Sequence, residues 1–255
     1  MKLLLFDLDG TLLRSDKTIS KYTMSVLQKC KEKGVLIGIS TSRAEQNCLS
    51  FLPKLKPDIL IASGGAVIKN RESYIYTAEF SVEETRKMIE CARKVCGDDC
   101  EMTVDTLTSH FWNYKEDPNK NDATWGETIY TDFIDYSKKA LKFCVEIFDP
   151  LLADKLSSCF SDCDCHRFSG SAWYKFTKKD ATKENAILKI CDYCNIDLKD
   201  ITAFGDDSPD IEMLKLCGTG VAMGNAIDSV KEAADVVIES NDEDGIAKYL
   251  EKYYL

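Results

Sequence analysis

Four short apolar runs, each breaking into a small polar loop, constrain this chain more than any other feature. They are Leu3-Leu4-Leu5-Phe6, Val35-Leu36-Ile37-Gly38-Ile39-Ser40, Ile59-Leu60-Ile61-Ala62 and Ile201-Thr202-Ala203-Phe204. Runs apolar on both faces belong to strands buried between two layers. Amphipathic segments separate them. One starts near Ser20, carries Tyr22, Val26, Leu27 and Cys30 on one face and stops at Gly34; a second covers about 44–52 before Pro53; a third covers Thr182 to Cys194. The alternation predicts an α/β fold with a doubly wound, Rossmann-like parallel sheet, whose ligands gather beyond the carboxyl ends of the strands.

Those ends are chemically distinctive. The first run enters Asp7-Leu8-Asp9-Gly10-Thr11-Leu12, and the two-residue period of a strand puts Asp7 and Asp9 on the same side. Two carboxylates so close call for a positive partner, and hard oxygen ligands favour Mg²⁺. The second run ends in Thr41-Ser42-Arg43, the third in Gly64-Gly65, and the fourth in Gly205-Asp206-Asp207-Ser208-Pro209-Asp210. Pro209 suits the first turn of a helix carrying Ile211, Met213 and Leu214, which Gly218 ends. Lys183 falls in the first turn of its helix, against the dipole, so its position wants a reason; a solvent-facing lysine near Lys178 and Lys179 is the plainer reading.

Between the third and fourth runs the pattern changes. A hairpin is expected from 66–69 and 74–77. From about Ser81 to Lys178 come a helix, strands at 102–105, 109–114 and 143–148, a helix near 151–159, and a hairpin of 163–168 with 172–177. Antiparallel strands with helices predict an α+β cap domain, residues 81–178, inserted into a core made of 1–80 and 179–255. Strands at 221–223 and 234–238 and a helix from about Glu243 complete the core.

Composition limits the partners. The 255 residues include 33 basic and 43 acidic ones, a net charge of −10, which argues against nucleic acid and anionic membranes. No apolar run approaches membrane-spanning length, and Asp7 cuts the N-terminal run too early for a signal peptide, so a cytoplasmic protein is expected. The twelve cysteines are scattered. The cluster Cys159, Cys163, Cys165, His166 and the pair Cys191, Cys194 raise zinc, but reduced packing thiols are the favoured reading. His110 and His166 join no evident catalytic set.

In order along the chain, Asp7-Leu8-Asp9-Gly10-Thr11-Leu12, Thr41-Ser42-Arg43, Lys183 and Gly205-Asp206-Asp207-Ser208-Pro209-Asp210 resemble the four motifs of the haloacid dehalogenase superfamily. The cap insertion and the Gly220–Ala226 stretch resemble the Cof-type hydrolases of subclass IIB. The resemblance implies a Mg²⁺-dependent phosphatase of small phosphorylated metabolites, sugar phosphates first, working through an aspartyl-phosphate. It implies Asp7 as nucleophile and metal ligand, Asp9 as general acid and base with its carbonyl on the metal, and Asp206 and Asp210 completing the metal site, with Asp207 beside them. Thr41 and Lys183 would hold the phosphoryl oxygens, with Gly10, Thr11, Ser42, Arg43, Gly64, Gly65 and Asn225 as further phosphate contacts. Ser42, Gly64 and Pro209 depart from the family's usual glycine and two asparagines. Trp112, Tyr114, Trp125, His166, Trp173 and Tyr174 are candidates to meet the leaving group. A monomer or weak homodimer is expected. A phosphomutase of the phosphomannomutase type is the alternative, disfavoured by only three arginines (Arg86, Arg93, Arg167) between 81 and 178; a non-catalytic phosphate or metal-binding module is the third reading.

Overall fold

The computed structural model describes residues 2–48, 50–116, 126–160, 162–168 and 170–255. Trp125 and the turn residue Ser169 lie outside these. The chain divides into two compact units. The first comprises Met1–Ser42, Lys54–Ile75 and Thr182–Leu255, the second Arg43–Pro53 and Tyr76–Ala181. The segment Arg43–Pro53 therefore joins the second unit, although the sequence placed it in the first.

The sheet of the first unit is built on β1 (Leu3–Phe6), β2 (Leu36–Ser40), β3 (Ile59–Ala62), β4 (Val67–Asn70), β5 (Ser73–Thr77, whose last two residues are assigned to the second unit), β12 (Ile201–Gly205), β13 (Thr219–Ala222) and β14 (Val236–Val237). Their order across the sheet is β14-β13-β12-β1-β2-β3-β4-β5. The six strands from β14 to β3 pair in parallel, and β4 turns back antiparallel on β3. The α/β parallel-sheet expectation is borne out. Every side chain of β1 is buried, at about 1.5–3 kcal/mol each, which fixes the centre of the sheet. Directly under its carboxyl end, Phe6 stacks on Phe204 at 4.7 Å.

Helices α1 (Lys21–Glu32), α5 (Lys183–Cys194), α6 (Ile211–Leu216), α7 (Asp228–Ala233) and α8 (Gly245–Tyr254) belong to this unit. Ser20 caps α1 by accepting the Thr23 amide, and Val26, Leu27 and Cys30 are buried as the spacing predicts. Tyr22 is not on that face: it is exposed, and its hydroxyl donates to Glu251. The expected helix over 44–52 is also corrected. A 3-10 turn covers Glu45–Cys48, and a single helical turn, α2 (Leu52–Leu55), has Pro53 inside its first turn, where a missing amide costs nothing.

In the second unit, β6 (Met102–Asp105), β7 (His110–Trp112), β8 (Thr128–Tyr130), β9 (Lys142–Glu146), β10 (Cys163–Arg167) and β11 (Trp173–Lys178) form a sheet ordered β10-β11-β9-β6-β7-β8. All its pairs are antiparallel except β7 with β8. Helices α3 (Val82–Cys96), opened by a Ser81–Glu84 capping box, and α4 (Pro150–Ser157) supply Met88, Ile89, Ala153 and Leu156 to one core with Val104, Phe143, Val145 and Phe176. Tyr174 belongs to that core rather than to a ligand surface. The alternate strand positions carry a buried polar row: Thr103, Asp105, His110, Lys142 and Lys175. There Asp105 pairs with His110 and, at 2.7 Å, with Lys142. Burial opposes the Asp105 carboxylate, but Lys142 and His110 outweigh it and hold its pKa below the usual carboxylate range.

Candidate active site

The carboxyl end of β1 is the origin of the site. The Asp7 amide still donates to the Phe204 carbonyl at 3.0 Å, so Asp7 leaves the sheet in register with β12, and Asp206 follows Gly205 one strand away. Gly10 has φ +78°, and a Cβ there would lie 2.2 Å from the Asp206 carboxylate; only glycine lets the loop after β1 lie against that side chain. The next residue uses the closeness: the Thr11 hydroxyl donates to Asp206 Oδ1 at 2.6 Å.

Lys183 explains its awkward place at the start of α5. It is buried, and its Nζ donates to Asp7 Oδ1 at 2.6 Å and Asp210 Oδ1 at 2.7 Å. Buried between two carboxylates, it is not the solvent-facing lysine of the plainer reading. Gly65 sets this helix start: its φ is +113°, and a Cβ would be 2.2 Å from the carbonyl oxygen of Thr182, the residue that caps α5. Asp210 is a bridge. Its Oδ2 accepts the amides of Asp206 and Asp207 at 3.1 and 3.2 Å while its Oδ1 meets Lys183.

Charge is unbalanced here. One carboxylate oxygen each from Asp7, Asp206 and Asp210 lies within 4.8 Å of the others, against one ammonium. Burial raises the Asp7 carboxyl well above its ordinary value, with Asp210 and Asp206 adding to the effect and Lys183 opposing it. Burial likewise pushes Asp206 up to about 7, against the Thr11 hydroxyl. For Lys183 burial acts to remove the proton, but Asp210 and Asp7 prevail and its pKa is raised. Three convergent hard oxygens with surplus negative charge fit a divalent cation. Among the described residues this is the one group of three acidic, histidine or cysteine side chains with that geometry, so the cysteine clusters form no comparable zinc site.

A family model described as haloacid dehalogenase-like hydrolase matches residues 4–250. The chain belongs to this family. Two phosphatases of Bacillus subtilis named for 5-amino-6-(5-phospho-D-ribitylamino)uracil, YitU and YcsE, are 27% and 29% identical, covering 99% and 100% of this chain and 97% and 96% of theirs. The structure described as the subclass IIB sugar phosphatase BT4131 is 27% identical with a TM-score of 0.85 and covers 99% of both chains. The phosphatase BT1666 of Bacteroides thetaiotaomicron is 27% identical with a TM-score of 0.82, covering 99% of this chain and 94% of that one. The resemblance carried by the four motifs is borne out, and the chain is an enzyme of this hydrolase family.

The remaining haloacid dehalogenase motif positions divide. Thr41 is buried at the end of β2, its amide donating to Ile61 and its carbonyl accepting the Gly64 amide, so the second and third loops are tied together. Ser42 closes the first unit's first segment. Arg43 goes elsewhere: it is buried in the second unit, donates to the Asn47 carbonyl at 3.2 Å and lies over the Phe51 ring. Asn225 is a brace, its Nδ2 donating to the Gly10 carbonyl at 2.8 Å and its Oδ1 accepting the Asn241 amide at 3.0 Å. Asp207 accepts the Ser208 amide and caps the turn that presents Asp210. Asp9 receives a partner that the sequence reading missed, Lys17 Nζ at 2.9 Å from its Oδ1. A lysine eight residues on, in a polar loop, carries no signal of that contact.

Among the described residues, no helix is long and apolar enough to cross a membrane. In the second unit Trp112 meets Trp173 edge-on at 5.5 Å and Tyr114 at 5.9 Å, while His166 is exposed on β10.

Proposed function

We propose that the chain is a Mg²⁺-dependent phosphatase of small phosphorylated metabolites in which Asp7 accepts the phosphoryl group. Phosphatase activity of the haloacid dehalogenase type is what the family and its relatives support; the metal, the substrate class and the residue roles are this reading's own. The observation that carries it is the buried Asp7–Lys183–Asp210 bridge beside Asp206.

Asp7, Asp206 and Asp210 would hold Mg²⁺, with the Asp9 carbonyl, and the ion when bound supplies charge against the phosphate oxygens. The protein's own groups do the rest. An Asp7 carboxylate oxygen forms a bond to phosphorus as the ester P–O bond breaks, and the leaving oxygen takes the Asp9 proton. Water then attacks the aspartyl-phosphate, Asp9 takes back a proton, and the acyl phosphate P–O bond breaks to restore Asp7 and release phosphate. Lys183 and Thr41 offer donors to the phosphoryl oxygens, and Lys183 opposes the burial that raises the Asp7 carboxyl.

The first unit would be the catalytic core, and the second a cap that selects the leaving group. Relatives named for a phosphoribitylamino-uracil and a structure named a sugar phosphatase both support a polyol or sugar phosphate ester. Phosphate release from a metabolite panel, with Mg²⁺ and with EDTA, for wild type and Asp7→Asn, tests this. Release by wild type with Mg²⁺ alone is expected; its absence across the panel overturns the reading.

A further inference from the structure

We propose that Lys17 is a positioning residue for Asp9, held on an anchored hairpin so that its ammonium fixes the orientation of the catalytic carboxyl. This rests on the general acid and base role of Asp9 given above.

Three observations bear on it. First, Lys17 Nζ lies 2.9 Å from Asp9 Oδ1, with the two side chains 37% and 38% exposed. A pair so exposed contributes at most about 1 kcal/mol to stability. Second, Lys17 has φ 61°, in the left-handed region, and closes a tight turn in which its amide donates to Arg14 while the Arg14 amide donates to Thr18, both at 2.9 Å. A non-glycine residue there costs on the order of 1 kcal/mol. Pair and backbone cancel, so stability gives no reason for a lysine where glycine or asparagine would serve better.

Third, the hairpin is pinned on its far side. Arg14 pairs with Asp244 at 2.7 Å, the Ser15 amide and hydroxyl both donate to Asp242 at 2.9 and 2.6 Å, and Asn241 Nδ2 donates to the Leu13 carbonyl at 2.8 Å. The turn that carries Lys17 is thus fixed to the loop before α8, and the ammonium occupies a set place.

The chemical consequence is one of orientation. An ammonium can only donate, so at 2.9 Å Lys17 fixes Asp9 Oδ1, and the carboxyl plane is held against rotation. General acid catalysis depends on that alignment and contributes about 10²- to 10⁴-fold in rate. Its contribution is large for an alkoxide leaving group, which must be protonated, and small for a nitrophenolate, which leaves as the anion.

The test compares Lys17→Gly and Lys17→Arg with wild type, reading kcat/KM with Mg²⁺ for an alkyl phosphate monoester and for p-nitrophenyl phosphate, with thermal unfolding alongside. Glycine removes the ammonium and relieves the backbone, so Tm should hold or rise. The proposal expects kcat/KM on the alkyl ester to fall by about tenfold or more, the aryl ester to change by about twofold or less, and arginine to recover most of the loss. Equal losses on both esters, or full activity of Lys17→Gly on the alkyl ester, overturn it. Wild type that releases phosphate from neither ester overturns the underlying reading and the proposal together, a result distinct from a leaving-group-independent loss in an active enzyme.

Discussion

Lowering the pH should weaken Mg²⁺ binding by a definite factor. Burial pushes the Asp206 carboxyl up to about 7, with Asp210 and Asp207 adding to the shift and Thr11 and Lys183 opposing it. A ligand must be ionised to bind, and a group of that pKa is roughly nine-tenths ionised at pH 8 and one-tenth at pH 6. The apparent Mg²⁺ affinity should therefore drop about tenfold over this interval, and Asp7, raised in the same direction, adds to the fall. The folded-state pKa lies above the unfolded one, so ionised Asp206 destabilises the metal-free protein. Without metal, this group's contribution to stability grows as pH falls from above 7 towards about 4. Added Mg²⁺ should accordingly raise Tm more at pH 8 than at pH 6. Calorimetric titration of EDTA-treated protein at pH 6, 7 and 8, in buffers of different ionisation enthalpy, measures both affinity and proton release. Affinity that does not vary with pH, or binding without proton release at pH 6, refutes the reasoning.

Other substitutions follow from the same contacts. Gly65→Ala drives a methyl into the Thr182 backbone and should cost about 1–3 kcal/mol in urea unfolding while lowering turnover through the displaced start of α5; unchanged stability contradicts the close approach. Asp105→Asn leaves Lys142 buried without its carboxylate and should cost about 3–5 kcal/mol at pH 7. Because the folded-state pKa of Asp105 is depressed, the wild-type advantage should persist down to about pH 4 and shrink only below it; a gap that closes by pH 5 is inconsistent with this pairing.

How much of this was legible depends on how local the signal was. The carboxylates of β1 and β12 stand beside apolar runs, so strand ends and acidic loops were visible together. Lys183 was flagged by its conflict with the helix dipole, and the two carboxylates that resolve it lie 176 and 27 residues away, beyond the reach of any local pattern. The contacts of Arg43 with Asn47 and Phe51 were not legible, because adjacency to Thr41 says nothing of side-chain direction and here the chain passes into the other unit. β8 was missed because three residues, Thr128–Tyr130, pairing at a sheet edge carry too little periodicity. Asp210 read only as a ligand in the sequence, and its second task, tying Lys183 to the loop amides through its two oxygens, had no local signal.

The central claim is that Asp7 receives the phosphoryl group. Acid quenching of wild type during turnover with Mg²⁺, followed by peptide mass spectrometry, measures it directly. The account predicts a phosphorylated peptide at Asp7, labile to hydroxylamine and absent from Asp7→Asn; turnover with no such adduct, or an adduct on another residue, contradicts it.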